Sequence, residues 1–154
     1  MSDDSRQVSV SRVIPSEPGP IFDFLASPEG HVAMDGSGTV QDTRSGQPQR
    51  LELGTKFGMK MKMGMPYSIS STVVEFEEDR LIAWSHLGRH RWRYELEPTD
   101  GGTRVTETFD WSTAVVPKAI ELMGYPDKHP PSMEKTLERL EELATSGWAP
   151  GAGD

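Results

Sequence analysis

Apolar and polar residues alternate with a period of two along much of the chain, and the pattern is clearest near its centre. Between residues 55 and 65 large apolar side chains alternate with lysine or glycine, as Phe57, Met59, Met61 and Met63 against Lys56, Gly58, Lys60 and Lys62. A β-strand sends successive side chains to opposite faces, whereas a helix would scatter these lysines around its circumference. The segment Thr55–Met65 is therefore predicted to be a strand, with its methionines on the inner face and its lysines on the outer face.

Similar alternation predicts further strands on both sides of this segment. The runs are Val8–Ile14, Thr39–Thr43, Tyr67–Glu77, Leu81–His86, His90–Glu97 and Thr103–Ser112. The last two runs are separated by Asp100-Gly101-Gly102, a typical hairpin connection. After the first run, Ser16 with Pro18, and then Pro28, mark the starts of two short helices, the second of which ends near Met34.

The C-terminal segment has a helical period. Apolar residues recur at helical spacing from Met133 to Ala144, with acidic residues on the other face. A helix over Ser132–Ser146 has to bury this stripe against the predicted sheet. The fold class is therefore α+β, with a curved antiparallel sheet of about six or seven strands around a long C-terminal helix. A single domain is expected over residues 7–146, with flexible ends at 1–6 and 147–154.

Composition narrows the class of partner. The 154 residues include 16 basic and 24 acidic ones, giving a net charge of −8, and there is no cysteine. An acidic chain is a poor match for nucleic acid or an anionic membrane surface, and without cysteine neither disulfides nor thiolate metal sites can form. There is no apolar run of about 18 residues, and the first residues lack the apolar stretch of a signal peptide. A cytoplasmic protein without stable membrane insertion is expected, and its oligomeric state is left open.

The four histidines do not form a metal-binding motif. His86 and His90 flank a predicted turn at Gly88, while His31 and His129 are isolated in the sequence. No nucleophile motif or phosphate-binding glycine loop accompanies them. Neither a metal nor a cofactor is expected.

Several segments, in this order along the chain, resemble the START and polyketide cyclase/dehydrase-like (SRPBCC) superfamily. They are Ser16-Glu17-Pro18 with Ile21-Phe22-Asp23-Phe24-Leu25 and Ser27-Pro28-Glu29, then Leu51–Phe57, Asp79–Ser85, and Arg91–Glu97 with Gly101–Thr108. The resemblance covers residues 7–146 and is strongest to small bacterial, actinobacterial-type members. It implies a helix-grip fold, in which the sheet wraps around the C-terminal helix. Because the superfamily contains lipid carriers, hormone and alkaloid binders and polyketide aromatases, the fold does not select a function.

Polar side chains on otherwise apolar strand faces define the candidate site. Three neighbouring strands carry them among aromatic residues: Trp84 and His86, then His90, Trp92 and Tyr94, then Glu107 and Phe109. A buried Glu107 has to be paired or protonated, because burying a lone carboxylate is costly. His86, His90, Tyr94 and Glu107 are expected to converge on one apolar cavity, as in a typical small-molecule site. Alternatively, His90 faces solvent, Tyr94 buries only its ring, and Glu107 pairs with an arginine at the sheet edge.

Two further segments allow two interpretations each. The methionine row either lines a pocket or packs as ordinary core. The apolar segment Thr113–Pro131, with a short helix over Pro117–Met123, is either a lid or a patch covering the end of the sheet. The full candidate ligand-binding set is Phe57, Met59, Met61, Met63, Trp84, His86, His90, Trp92, Tyr94, Glu107, Phe109, Met133 and Leu137.

Three functions follow from these residues and from the resemblance. The favoured function is binding of an apolar small molecule, such as a lipid, a polyketide or an aromatic metabolite, in a cavity between the sheet and the C-terminal helix. The alternative is a cyclase- or dehydratase-type enzyme that uses Tyr94, His90 and Glu107 as its acid–base groups. The third is a stress or interaction protein whose cavity is incidental.

Overall fold

The computed structural model describes residues 6–35, 40–43, 50–63, 65–86, 89–122 and 124–146, and at 40–43, 59–63, 66–69 and 125–128 it describes the backbone only. In chain order the elements are β1 (Gln7–Ile14), α1 (Pro18–Leu25), α2 (Pro28–Met34), β2 (Val40–Thr43), β3 (Lys56–Met63), β4 (Met65–Glu77), β5 (Leu81–Ser85), β6 (Arg91–Thr99), β7 (Gly102–Asp110), α3 (Pro117–Leu122) and α4 (Tyr125–Ser146). Residues 1–5 and 147–154, which belong to the expected flexible ends, lie outside this part of the chain.

The strands form one antiparallel sheet in the order β1-β7-β6-β5-β4-β3-β2. From β2 to β7 each strand pairs with its neighbour in sequence, and β1 closes the order by pairing with β7 over its whole length. The sheet, two short helices and the long C-terminal helix confirm the predicted α+β helix-grip architecture. None of the helices in the described part of the chain has the length and apolar character needed to cross a bilayer.

A β-bulge in β4 decides which of its side chains face the core. Val73 and Glu75 lie opposite adjacent residues of β5, so Val74 between them has no partner of its own. Unbroken alternation would place Glu75 on the inner face with Val73. The extra residue instead moves Phe76 inward, where its ring centroid lies 5.6 Å from that of Phe22.

The outer face carries an ion-pair network built on this bulge. Nε and Nη2 of Arg93 donate to the two carboxylate oxygens of Glu75 at 3.0 and 2.8 Å. Arg91 donates to Glu75 at 2.8 Å, and Arg93 also reaches Asp110 at 3.3 Å. Arg91 and Arg93 are therefore engaged with carboxylates on their own face.

A close approach of two short helices covers one end of the inner face. In α1, Ile21, Phe22 and Leu25 are fully buried. A Cβ atom added to Gly30 of α2 would lie 2.2 Å from the carbonyl oxygen of Phe24, so the two helices can pack this closely only with glycine at that position.

The C-terminal helix is longer than the sequence predicted. It begins at Tyr125 instead of Ser132, and Pro130 and Pro131 lie inside it. The prediction that the connecting segment extends to Pro131 is wrong: the fixed φ of proline is compatible with a helix, and α4 continues through both prolines despite the lost donors and the crowding of the carbonyls four residues before them. Leu137 and Leu140 of this helix are buried, as the one-sided apolar stripe requires.

Strand boundaries differ from the predicted ones by one or two residues at several ends, and the difference at β3 and β4 bears on the methionine row. The strand predicted over Thr55–Met65 ends at Met63, and Met65 begins β4. The side chain of Met65 is 76% exposed, so it does not continue a buried methionine row. Lys56 is exposed and Phe57 is buried, as predicted for the first two positions of β3. The side chains of Met59, Met61 and Met63 lie outside the described residues.

Candidate functional site

The cross-strand register arranges the inner-face side chains in rows across the sheet. One row contains Ile82, Tyr94, Glu107 and Val10, and the next contains Trp84, Trp92, Phe109 and Val8. His86 and His90 lie beyond the second row, at the ends of β5 and β6. The period of two in the sequence therefore identified correctly which side chains share this face.

Glu107 and Tyr94 form a buried pair in the first row. Only 3% of Glu107 and 4% of Tyr94 is exposed. The Tyr94 hydroxyl is hydrogen-bonded to the Glu107 carboxyl group, whose Oε1 atom has no hydrogen-bond partner within the described part of the chain. The alternative in which Glu107 pairs with an arginine at the sheet edge is wrong.

The environment of Glu107 favours its protonated form. Burial raises the pKa of this carboxyl to about 8, and the negative charge of Asp35 adds to the rise, while the Tyr94 hydrogen bond opposes it. Burial, together with the Glu107 charge, also raises the pKa of Tyr94 well above its ordinary value. At neutral pH the pair is therefore a neutral carboxylic acid beside a neutral phenol.

A stack of rings connects this pair to helix α2. The Trp84 ring lies between His31 and Tyr94, with ring centroids 4.4 Å and 5.5 Å away. Nε2 of His31 is 2.7 Å from the carbonyl oxygen of Leu25, and burial lowers the pKa of His31 to about 4. His31 is thus a neutral ring that holds Trp84 against the sheet.

A second polar cluster lies at the end of the sheet where β5 and β6 meet. Nδ1 of His86 is 2.6 Å from Oγ of Ser71, and the His86 and His90 rings are 5.4 Å apart. Nδ1 of His90 is buried and has no hydrogen-bond partner in the described residues. Burial lowers the pKa of both rings, that of His86 to about 4 with a smaller effect from the charge of His90.

Helix α4 adds a third histidine to this end. The His129 ring lies 4.6 Å from Phe109 and 5.0 Å from Trp92, and burial lowers its pKa to about 4. Among the described residues, no three histidine, aspartate or glutamate side chains are placed to hold a metal ion. His90 and His129 pack against the Phe109 ring, whereas His86 contacts the His90 ring.

The structure places the candidate residues on one face but in two clusters. Tyr94 and Glu107 are separated from His86 and His90 by the row of large rings, so the four polar groups form two clusters, and their convergence on one cavity stays a prediction. The cause is the strand rise of about 3.4 Å per residue, which puts side chains four residues apart on one face about 14 Å from each other. The remaining described candidates, Phe57, Trp84, Phe109, Met133 and Leu137, are buried, and Trp92 is half-buried.

The sequence prediction missed three groups near the site. His31 and Asp35 come from helix α2 and its C-terminal end, and His129 comes from the part of α4 that was predicted as a connection. A signal was available for His31, because Pro28, His31 and Met34 recur at the spacing of one helix face. For Asp35 and His129 the local sequence holds no such signal, since their positions depend on how the helices pack on the sheet.

The geometry agrees with comparisons against known proteins. Residues 5–145 match the family described as polyketide cyclase / dehydrase and lipid transport. The chain belongs to this family. An uncharacterised protein of Mycobacterium tuberculosis is 37% identical over 149 residues, which are 93% of this chain and 66% of that protein. The chain thus spans slightly less than two thirds of that relative, whose actinobacterial source agrees with the resemblance found in the sequence.

Solved structures share the fold of this chain. A crystal structure of a protein from Nitrosomonas europaea superposes with a TM-score of 0.74 at 20% identity, covering 94% of this chain and 97% of that one. The solution structure of an AHSA1-like protein from Aeromonas hydrophila gives a TM-score of 0.61 at 18% identity, covering 92% and 94%. At these identities the likeness is one of fold.

Proposed function

We propose that this member of the family binds an apolar small molecule between the inner face of the sheet and helix α4. The observation that carries the proposal is the unpartnered Oε1 atom of Glu107. A buried polar atom without a partner costs about 1–3 kcal/mol, and such atoms are rare in a core that serves only packing. An apolar, ring-lined face with a few polar groups is typical of a small-molecule site.

The burial pattern supports access to this face from one end. Tyr94, Leu96 and Val105 are buried, whereas Trp92, His86 and His90 nearer the β5–β6 connection are half-buried. Helix α3, which follows β7 at the same end, buries none of its residues. Trp111 and Arg6 hold it through Glu121, with Nε1 and Nε donating to Oε1 at 2.9 and 3.0 Å. A ligand would therefore enter over the rings of the second row and reach Glu107 at the inner end.

Titration with Nile red, a neutral fluorescent probe with a carbonyl oxygen, tests the proposal. We expect saturable binding with enhanced, blue-shifted emission. Trp92→Ala should weaken binding by about 5- to 100-fold, the equivalent of roughly 1–3 kcal/mol of lost ring contact. Glu95→Gln is the matched control, because Glu95 lies on the same strand but is exposed on the outer face. Absence of saturable binding, or equal losses in both variants, would overturn the proposal.

Acid–base catalysis in the same place is a second candidate. It is favoured by the raised pKa of Glu107, about 8, since a general acid works best with a pKa near the operating pH. The two functions differ in what Glu107→Gln changes. A catalytic Glu107 predicts a loss of turnover of about 10²–10⁴-fold with little change in affinity. A binding role predicts a change in affinity alone.

A further inference from the structure

The groups that face Glu107 come from three elements and include no described cation. Tyr94 of β6 is hydrogen-bonded to it, Val10 of β1 lies opposite it, and Asp35 at the end of α2 acts on it with a negative charge. Arg12 shares the inner face of β1 but is bonded to Glu141 of α4 at 2.9 Å, at the exposed edge.

The Tyr94–Glu107 pair therefore has one more hydrogen-bond donor than the acceptors available to it among the described residues. The Tyr94 hydroxyl donates to the Glu107 carboxyl group and is thereby used. A protonated Glu107 has its own O–H to donate, and its free oxygen, Oε1, finds no acceptor among the described residues. Among the described residues, the O–H group of a protonated Glu107 therefore lacks an acceptor.

From this geometry we infer that the ligand is uncharged where it meets Glu107 and offers that side chain a hydrogen-bond acceptor, such as a ketone or ester oxygen. The inference rests on the proposed function and names the class of ligand. A ligand carboxylate would be buried near Asp35, and none of the cations among the described side chains faces Glu107 to compensate it, which is costly in an apolar site. A ligand ammonium would have to lose its water and ionise Glu107, and such buried pairs often fail to recover their desolvation cost.

A matched set of ligands tests the inference. Methyl laurate, laurate and dodecylammonium share a twelve-carbon chain and differ in the charge at its end. Each is titrated against bound Nile red at pH 7, below the concentration at which it forms micelles. We expect methyl laurate to bind at least about 10-fold more tightly than either charged ligand, because one well-made or missing buried hydrogen bond is worth about that factor.

Two variants separate a donor role from a charge role. Glu107→Gln keeps a neutral donor and should preserve the preference for the ester, while Glu107→Met removes the donor and should abolish it. Glu95→Gln on the outer face should leave the preference unchanged. Laurate binding as tightly as the ester would overturn the inference, as would a preference for dodecylammonium that disappears in Glu107→Gln. In both cases Nile red would still bind, whereas a failure of the proposed function itself would show as no Nile red binding at all.

Discussion

Glu107 is the residue whose environment departs furthest from what its type favours. The sequence indicated that a glutamate on this face must be paired or protonated, and the structure shows a hydrogen bond to Tyr94 together with a pKa raised to about 8. The sequence could not predict whether a neighbouring charge raises or lowers the pKa of Glu107. The direction depends on Asp35, whose proximity is fixed by the packing of α2 on the sheet.

The raised pKa makes the stability of the protein depend on pH in a defined sense. Between the ordinary pKa of 4.5 and the folded value of about 8, the folded protein holds a proton on Glu107 that the unfolded chain has lost. Stability contributed by Glu107 is therefore present at low pH and is lost as the pH rises through 8. His31, His86, His90 and His129 have lowered pKa values and act with the opposite sign, and their effect fades only about one pH unit above the ordinary histidine pKa of 6.5.

Urea unfolding at pH 6.5 and pH 8 isolates the Glu107 contribution. The buried histidines add stability over this interval in both proteins, so the Glu107 contribution is the difference between wild type and Glu107→Gln, which cannot ionise at this position. We expect the free energy of unfolding of the wild type to change by about 1.5–2 kcal/mol less favourably than that of the variant between pH 6.5 and pH 8. The same change in both proteins would mean that Glu107 is already ionised at pH 6.5.

At the scale of single elements, the α1–α2 contact gives a sharp prediction. The Cβ atom of an alanine at Gly30 would meet the Phe24 carbonyl oxygen at 2.2 Å, whereas one at Gly19 of α1 would have nothing within 4 Å. Gly30→Ala should therefore destabilise the fold by about 1–3 kcal/mol through overpacking. Gly19→Ala should change the free energy of unfolding by less than about 0.5 kcal/mol, because its Cβ meets no atom beyond its chain neighbours, and Pro20 offsets the helix preference of alanine. Similar melting temperatures for the two variants would contradict this packing of α2 on α1.

Helix α4 gives a second element-scale prediction, on its one-sided burial. Leu137 is 1% exposed and Glu138, the next residue, is exposed. Leu137→Ala should cost about 2–5 kcal/mol of unfolding free energy, and Glu138→Ala should change it by less than about 0.5 kcal/mol. Chemical denaturation of both variants measures the difference. Equal losses would show that the helix does not bury one face against the sheet.

The elements themselves were largely predictable, and the exceptions have local causes. Strands and the helix stripe follow from periods of two and 3.6, which are properties of short windows. The bulge at Val74 reverses the face of Glu75, and the sequence marks it only by the adjacent apolar residues Val73 and Val74, where the alternation shifts by one residue. The early start of α4 was hidden by Pro130 and Pro131, which mark a helix end in most sequences.

At the scale of the whole molecule, long-range pairing determines the site. β1 and β7 are separated in the chain by both short helices and five strands, yet they pair along the full length of β1, with Val10 opposite Glu107. Nothing in either segment specifies that partner, so the position of Val10 beside Glu107 could be found only from the structure. The family resemblance supplied the arrangement of sheet and helix as an expectation, but it could not specify which polar groups lie near one another.

The central claim is that a ligand lies on the inner face of the sheet, and nuclear Overhauser contacts between isotope-labelled protein and unlabelled Nile red test it most directly. The account predicts contacts from the bound probe to the rings of Trp92, Phe109 and Tyr94. The methyl groups of Thr106 and Thr108, on the outer face of the same β7 strand, should show none. Contacts to those two methyl groups, or a saturating probe without contact to any of the three rings, would contradict the account.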